Sequence, residues 1–263
     1  MNEEKKPAEL KAAFSLAGRR ALVTGSARGI GKAIALAFAE YGATVAVHGV
    51  RPSHALDETL AEVRAFAPHC AAVTGDLAEP GAAAGIVAAA AQLIGAPDIL
   101  VANASVQIRC PWLEVAPEEA LLQMQVNFHA SLQLVQAAVP AMRQQGWGRI
   151  VTVGSVQEQR PHPDMIVYAA SKAALENLVR NLAKQIGPDG ITINNLCPGV
   201  FATDRNTEVL ANPAYAEQVR QRIPVRDFAA PRDAAGAALL LCSDAGRYIT
   251  GTTLCVDGGM SVA

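Results

Sequence analysis

An apolar run, Ala21-Leu22-Val23, leads directly into Thr24-Gly25-Ser26-Ala27-Arg28-Gly29-Ile30-Gly31 and then into a helical stretch over residues 32–41. That succession predicts a strand, a tight turn and a helix. The glycines suit the turn to an anion: Gly25 permits a tight turn, Gly29 lets the backbone approach a pyrophosphate, and Gly31 lets the helix pack closely on its strand. The N-terminus of that helix adds N–H groups with no partner inside the helix. The spacing is G-x-x-x-G-x-G, not the G-x-G-x-x-G dinucleotide fingerprint, and a glycine cluster alone can be only a helix-packing turn. Its place immediately after the first strand favours a nucleotide cofactor, with Ser26, Arg28 and Ile30 in the same turn.

Strand and helix patterns then alternate to the end of the chain. Strands are expected at 44–47, 71–74, 99–102, 149–153, 192–196 and 253–256, with helices near 55–66, 81–94, 117–145, 168–186 and 231–242. The alternation predicts a parallel sheet covered by helices on both faces. With 263 residues, 51% of them hydrophobic, the chain can bury one large core, so a single Rossmann-like α/β domain is expected over 16–263. Residues 1–15 mix charge with Ala and Pro and read as a flexible arm. Residues 201–226 are less regular and lie beyond a strand's carboxyl end, where a substrate lid would sit.

A formal charge of −2 gives no bias toward nucleic acid or an anionic membrane. No apolar run approaches the ~20 residues needed to span a bilayer, and the N-terminus is too charged for a secretory signal, so a cytoplasmic protein is expected. The five cysteines are scattered and odd in number, which argues against zinc and disulfide frameworks. Cys197, Cys242 and Cys255 lie in apolar segments and read as small buried hydrophobes.

The chemistry is concentrated between Ser155 and Lys172. Tyr168 and Lys172 stand at i and i+4, so on a helix a phenol and an ammonium share one face. A cation beside a phenol, whose reference pKa is about 10, favours the phenolate and fits the Tyr for proton transfer near neutral pH. Ser155 closes the preceding strand, and strand ends and helix starts converge on one edge of an α/β sheet. Taken alone, Tyr-x-x-x-Lys can equally be a Lys packed along an aromatic ring.

Thr24-Gly-Ser-Ala-Arg-Gly-Ile-Gly31, Ser155, Tyr168-x-x-x-Lys172 and Cys197-Pro-Gly-Val-Phe-Ala-Thr203 occur in that order, and with them the chain resembles the classical short-chain dehydrogenase/reductases over residues 16–260. The resemblance implies a Rossmann-like fold with a seven-stranded parallel sheet, a nicotinamide cofactor and a homotetramer. It implies that Asn127 joins Ser155, Tyr168 and Lys172 as a fourth catalytic residue, kinking its helix and holding a water that links Lys172 to solvent. It implies too that Asp76 and Leu77 meet the adenine ring and that Asn103 and Ala104 approach the adenosine ribose. Pro198, Gly199, Phe201 and Thr203 would belong to the loop whose backbone binds the nicotinamide carboxamide. One position departs from the pattern: the family's Asn-Asn-Ala-Gly reads Ala102-Asn103-Ala104-Ser105 here.

The end of the second strand reads His48-Gly49-Val50-Arg51, without the carboxylate an NAD enzyme uses to hold ribose hydroxyls. Arg28 and Arg51 could flank a 2′-phosphate, so NADP(H) is expected over NAD(H), although both can also be solvated surface side chains. The pocket wall is expected to include Gln107, Arg109, Gln157, Arg160, His162 and Arg205, a polar and cationic set that suits a hydroxylated or anionic small molecule. A likeness of residues 155–164 to sugar-acid and polyol dehydrogenases of the family adds to this, so a small sugar, sugar acid or polyol is the expected substrate. The alternatives are reduction of a 3-oxoacyl-carrier protein, which would need a basic docking surface, and a non-catalytic NADP(H)-binding sensor or scaffold.

Overall fold

The computed structural model describes residues 10–263, apart from the side chains of Arg205, Glu208 and Val209. In chain order the elements are α1 (Leu10–Ala13), β1 (Arg20–Val23), α2 (Gly29–Glu40), β2 (Thr44–Gly49), α3 (His54–Phe66), β3 (Ala71–Thr74), α4 (Ala82–Ile94) and β4 (Ile99–Ala102). There follow α5 (Pro117–Met124), α6 (Ala130–Gln145), β5 (Gly148–Val153), α7 (Ile166–Ile186), β6 (Ile191–Pro198), α8 (Asp204–Leu210), α9 (Pro213–Gln221), α10 (Pro231–Cys242) and β7 (Thr253–Val256).

The seven strands form one sheet in the order β3-β2-β1-β4-β5-β6-β7, and every pairing is parallel. Alternate residues of one strand feed opposite faces, as the period of two requires. In β1, Ala21 and Val23 join Ile34 and Phe38 of α2 and Ala234 of α10, whereas Leu22 joins Ile86 of α4, Leu134 of α6 and Val179 of α7. With both faces covered, the strands have no polar side to alternate with and read as apolar runs. Strand order reverses between β1 and β4, and the carboxyl ends of those two strands open the crevice in which an α/β sheet binds its ligand.

Three expectations change. The single helix expected at 117–145 is two helices joined by a π turn over Gln125–His129, centred on Asn127. The stretch 201–226 holds α8 and α9, the latter begun by an Asn212 side chain that accepts the Ala214 and Tyr215 N–H groups, with Pro213 at its first position. Cys255 is only half-buried, because β7 is the sheet's edge strand. At the N-terminus, Leu16 is buried and its N–H reaches Tyr41 O at 2.8 Å. Of the expected arm, residues 1–9 lie outside the described residues. No described helix is long and apolar enough to cross a membrane.

Candidate active site

The glycine turn is fixed from three sides. Thr24 Oγ1 accepts the N–H groups of Asn103 (3.0 Å) and Ala104 (3.1 Å), which locks the end of β1 to the end of β4. Asn103 Nδ2 donates to Thr24 O at 2.8 Å and Gly25 O at 3.0 Å. His48 Nδ1 accepts the Gly25 N–H at 3.1 Å, so Nε2 carries the hydrogen and donates to Gly75 O at 3.0 Å. Burial pushes the His48 pKa down, so the ring stays neutral and pins the turn.

Two glycines are required here. Gly25 has φ +62°, and a Cβ on it would come within 2.8 Å of Ala104 Cα. A Cβ on Gly31 would run into Asn103 Nδ2 and lie 2.6 Å from Gly25 O. The first turn of α2 carries no side-chain cap, so its N–H groups face an open cradle.

That cradle is one end of a cleft of about 660 Å³. Its walls include Gly25, Arg28, Gly29, Ile30 and Gly31, then Asp76 and Leu77 after β3, Asn103, Ala104 and Ser105 after β4, and Pro198, Gly199, Phe201 and Thr203 after β6. The cradle and an elongated cleft along the strand ends fit a dinucleotide. Ser26 does not line the cleft: its Oγ is buried beneath it, donating to Val23 O and accepting the His48 N–H, both at 2.8 Å. Arg51 is exposed beyond the rim, which Gly49 and Val50 form. Arg28 lies at the mouth, 3.7 Å from Asp204 of α8, in a pair so exposed that it contributes little to stability.

At the other end of the cleft Ser155, Tyr168 and Lys172 come together, and all three are nearly buried. Lys172 Nζ donates to Val153 O at 2.6 Å and lies 5.7 Å from the centre of the Tyr168 ring. Ser155 Oγ accepts the Gln157 N–H at 3.2 Å, which leaves its own hydrogen to donate. Asn127 is fully buried within the π turn. Its side-chain amide exchanges two 2.9 Å bonds with the backbone of Val106 and donates to Ser171 Oγ at 3.0 Å, tying the β4 loop to α7.

Gln107, Arg109, Gln157 and His162 also face the cleft. Arg160 is exposed outside it, and the Arg205 side chain lies outside the described residues. The segment 201–226, expected to cover the cleft, does contribute to its wall, through residues that were not individually foreseen. Tyr215, Val219 and Arg222 reach the cleft from α9 and just beyond it. Glu158 sits behind Ser155, and Ser-x-x-Glu before a helical turn is a readable capping signal.

Residues 25–261 match the family model described as enoyl-(acyl carrier protein) reductase. The L-rhamnose 1-dehydrogenase (NAD(P)(+)) of Sphingomonas sp. (strain SKA58) is 35% identical over 251 residues, spanning 94% of this chain and 98% of that protein. The chain belongs to the classical short-chain dehydrogenase/reductases. The gluconate 5-dehydrogenase of Gluconobacter oxydans is likewise 35% identical, over 95% of this chain and 97% of that protein. Among solved structures, a 3-oxoacyl (acyl-carrier-protein) reductase from Agrobacterium tumefaciens C58 with NADP bound superposes with a TM-score of 0.91 at 36% identity, covering 97% and 99% of the two chains. As a short-chain dehydrogenase/reductase the protein is an oxidoreductase that works with a nicotinamide cofactor on an alcohol or its ketone.

Proposed function

We propose that the protein is an NADP(H)-preferring cytoplasmic dehydrogenase of a small sugar, sugar acid or polyol. The observation that carries the substrate class is the cleft wall beside Tyr168, where Gln107, Arg109, Gln157 and His162 offer hydrogen bonds and positive charge. Sugar-directed names among the relatives point the same way. Initial rates over aldoses, aldonates, polyols and acetoacetyl thioesters, with each cofactor, test this. Thioesters stay on the panel because of the reductase neighbour, and turnover of thioesters alone would overturn the sugar assignment.

In this reading the pyrophosphate rests on the N–H groups of the Gly25–Gly31 cradle and the ribose is held by Lys172. Asp76 and Leu77 take the adenine, Asn103 and Ala104 its ribose, and the backbone after Pro198 the carboxamide. When bound, the cofactor supplies or accepts the hydride. Tyr168 as phenolate takes the substrate hydroxyl proton in oxidation and returns it in reduction. Ser155 donates to the substrate oxygen, and Lys172 stabilises the phenolate. Asn127 holds the π turn against α7 and so keeps Tyr168 and Lys172 in place. The reading also implies a homotetramer, which a single-chain mass by light scattering would overturn.

Cofactor preference rests on Arg28, which faces the cleft, more than on Arg51, which does not. Arg28→Ala should lower kcat/KM for NADPH by roughly tenfold or more, the worth of a charge-assisted contact, with a smaller effect for NADH. A wild-type specificity constant for NADH equal to that for NADPH would refute the preference.

The segment 201–226 acts as a lid, because it brings Asn206, Tyr215 and Arg222 to the cleft. Limited proteolysis within it should slow when cofactor and substrate are added together. Unchanged cleavage would remove the lid.

A further inference from the structure

A half-buried carboxyl lies directly behind the Ser155-Tyr168-Lys172 cluster, and the mechanism above does not use it. Glu158 Oε1 accepts the Ser155 backbone N–H at 2.9 Å. Asn195 Nδ2 donates to both carboxyl oxygens, at 2.9 Å and 3.2 Å. Asn195 is itself fixed, because its Oδ1 accepts from Thr152 Oγ1 at 2.9 Å. The carboxyl packs onto Gly154 so closely that a Cβ there would collide with Glu158 Oε1. Glu158 therefore joins the carboxyl end of β5, the turn that carries Ser155, and β6.

We propose that Glu158 is a positioning residue for the dehydrogenase reaction, its carboxylate holding Ser155 through the backbone N–H and setting the charge beside Lys172. The proposal rests on the assignment of Ser155, Tyr168 and Lys172 as the reacting groups. The charged and titratable groups facing Glu158 are Lys172 and Glu176 of α7 and Cys197 of β6. Burial pushes Cys197 up, so it stays a neutral thiol. Burial also pushes Glu158 up, to about 7, with Glu176 adding to the rise while the bonds from Ser155 and Asn195 and the charge of Lys172 oppose it.

The Ser155 N–H and Asn195 Nδ2 are both donors to the Glu158 carboxyl, so protonation sets an O–H against N–H groups and loosens the Ser155 turn. As a carboxylate it completes the turn, and its charge beside Lys172 disfavours the Tyr168 phenolate. Glu158 thus has two effects on alcohol oxidation, and the two are separable by pH.

Glu158→Gln permanently presents an N–H where the protonated acid presents its O–H. At pH 8 its kcat should fall about tenfold, and the inflection in kcat near pH 7 should vanish. The more alkaline limb should move to lower pH, since a negative charge near Lys172 is gone. Glu158→Asp should retain a displaced inflection. Infrared difference spectra should show a carboxyl titrating near pH 7 in the wild type and not in Glu158→Gln, whether or not the variant turns over.

Overall stability runs opposite to the turn's own bonds, because the desolvation of the carboxylate outweighs them. The raised value makes the neutral acid's contribution complete below the unfolded value near 4.5 and lost as pH rises through about 7, and Glu158→Gln should flatten that decline in Tm. A merely structural role predicts a uniform loss of kcat with the inflection and limb unmoved, and that result overturns the proposal, as does a missing infrared titration. Retained activity in Tyr168→Phe would instead sink the assignment of the reacting groups and the proposal with it.

Discussion

Tyr168→Phe is expected to lower kcat for alcohol oxidation by on the order of 10²–10⁴ with little change in cofactor affinity or Tm. The substitution keeps the ring and nearly all its volume and deletes one hydroxyl, so a packing residue would tolerate it. Tyr168 is almost fully buried at the base of the cleft, with the Lys172 ammonium alongside and Ser155 within the same wall. A buried phenol beside a cation is where a proton can be exchanged with a substrate oxygen while bulk water is excluded. The measurement is steady-state kinetics on a substrate whose turnover is limited by chemistry, together with cofactor titration and thermal unfolding. More than about a tenth of wild-type kcat in the variant would end the assignment.

The strands were legible because a sheet covered on both faces demands continuous apolar runs. β3, β4 and β7 lie where such runs do, and β2 and β6 extend past theirs through His48-Gly49 and Cys197-Pro198, of which His48, Gly49 and Pro198 line the cleft. The Ser155-Tyr168-Lys172 cluster was legible for a related reason: a helix fixes i and i+4 on one face, and a parallel sheet brings its strand ends together. What the sequence did not disclose is which polar side chain of a motif points into the cleft and which points beneath it. Ser26 and Arg28 stand two residues apart in one turn, yet Ser26 is spent on Val23 and His48 while Arg28 reaches the mouth.

His48 looked like part of a cofactor-selecting segment and is instead the buried pin of the glycine turn. The π turn at Asn127 could not be read from periodicity either. One extra residue in a turn does not disturb the apolar pattern on either side, and only the bonds from Asn127 to Val106 and Ser171 show why it is kept. The pairing of Glu158 is a tertiary fact of the same kind, since its partner Asn195 lies 37 residues away.

Lys172→Met separates the ammonium's two roles from the phenol's one. The Lys172 side chain is almost wholly buried, and Met keeps most of its length and apolar body while removing the charge. Val153 O then loses its donor, a cost of about 1 kcal/mol in stability. The larger effect is on Tyr168. At the 5.7 Å between Nζ and the ring centre, a unit charge in an effective dielectric of about 20 is worth on the order of 3 kcal/mol to a phenolate, or about 10² in its population at fixed pH. In alcohol oxidation kcat should therefore fall by about 10², and the limb reporting phenolate formation should move to more alkaline pH, so that raising the pH recovers part of the loss.

Tyr168→Phe has no such recovery, because no pH restores a missing hydroxyl. Loss of the ammonium should also weaken cofactor binding, which Tyr168→Phe leaves alone, and should raise Glu158 further, since Lys172 is the cation that holds it down. A Lys172→Met enzyme whose kcat falls equally at every pH, with cofactor affinity intact, would show that the ammonium only fills space, and the phenolate mechanism would lose its source of charge.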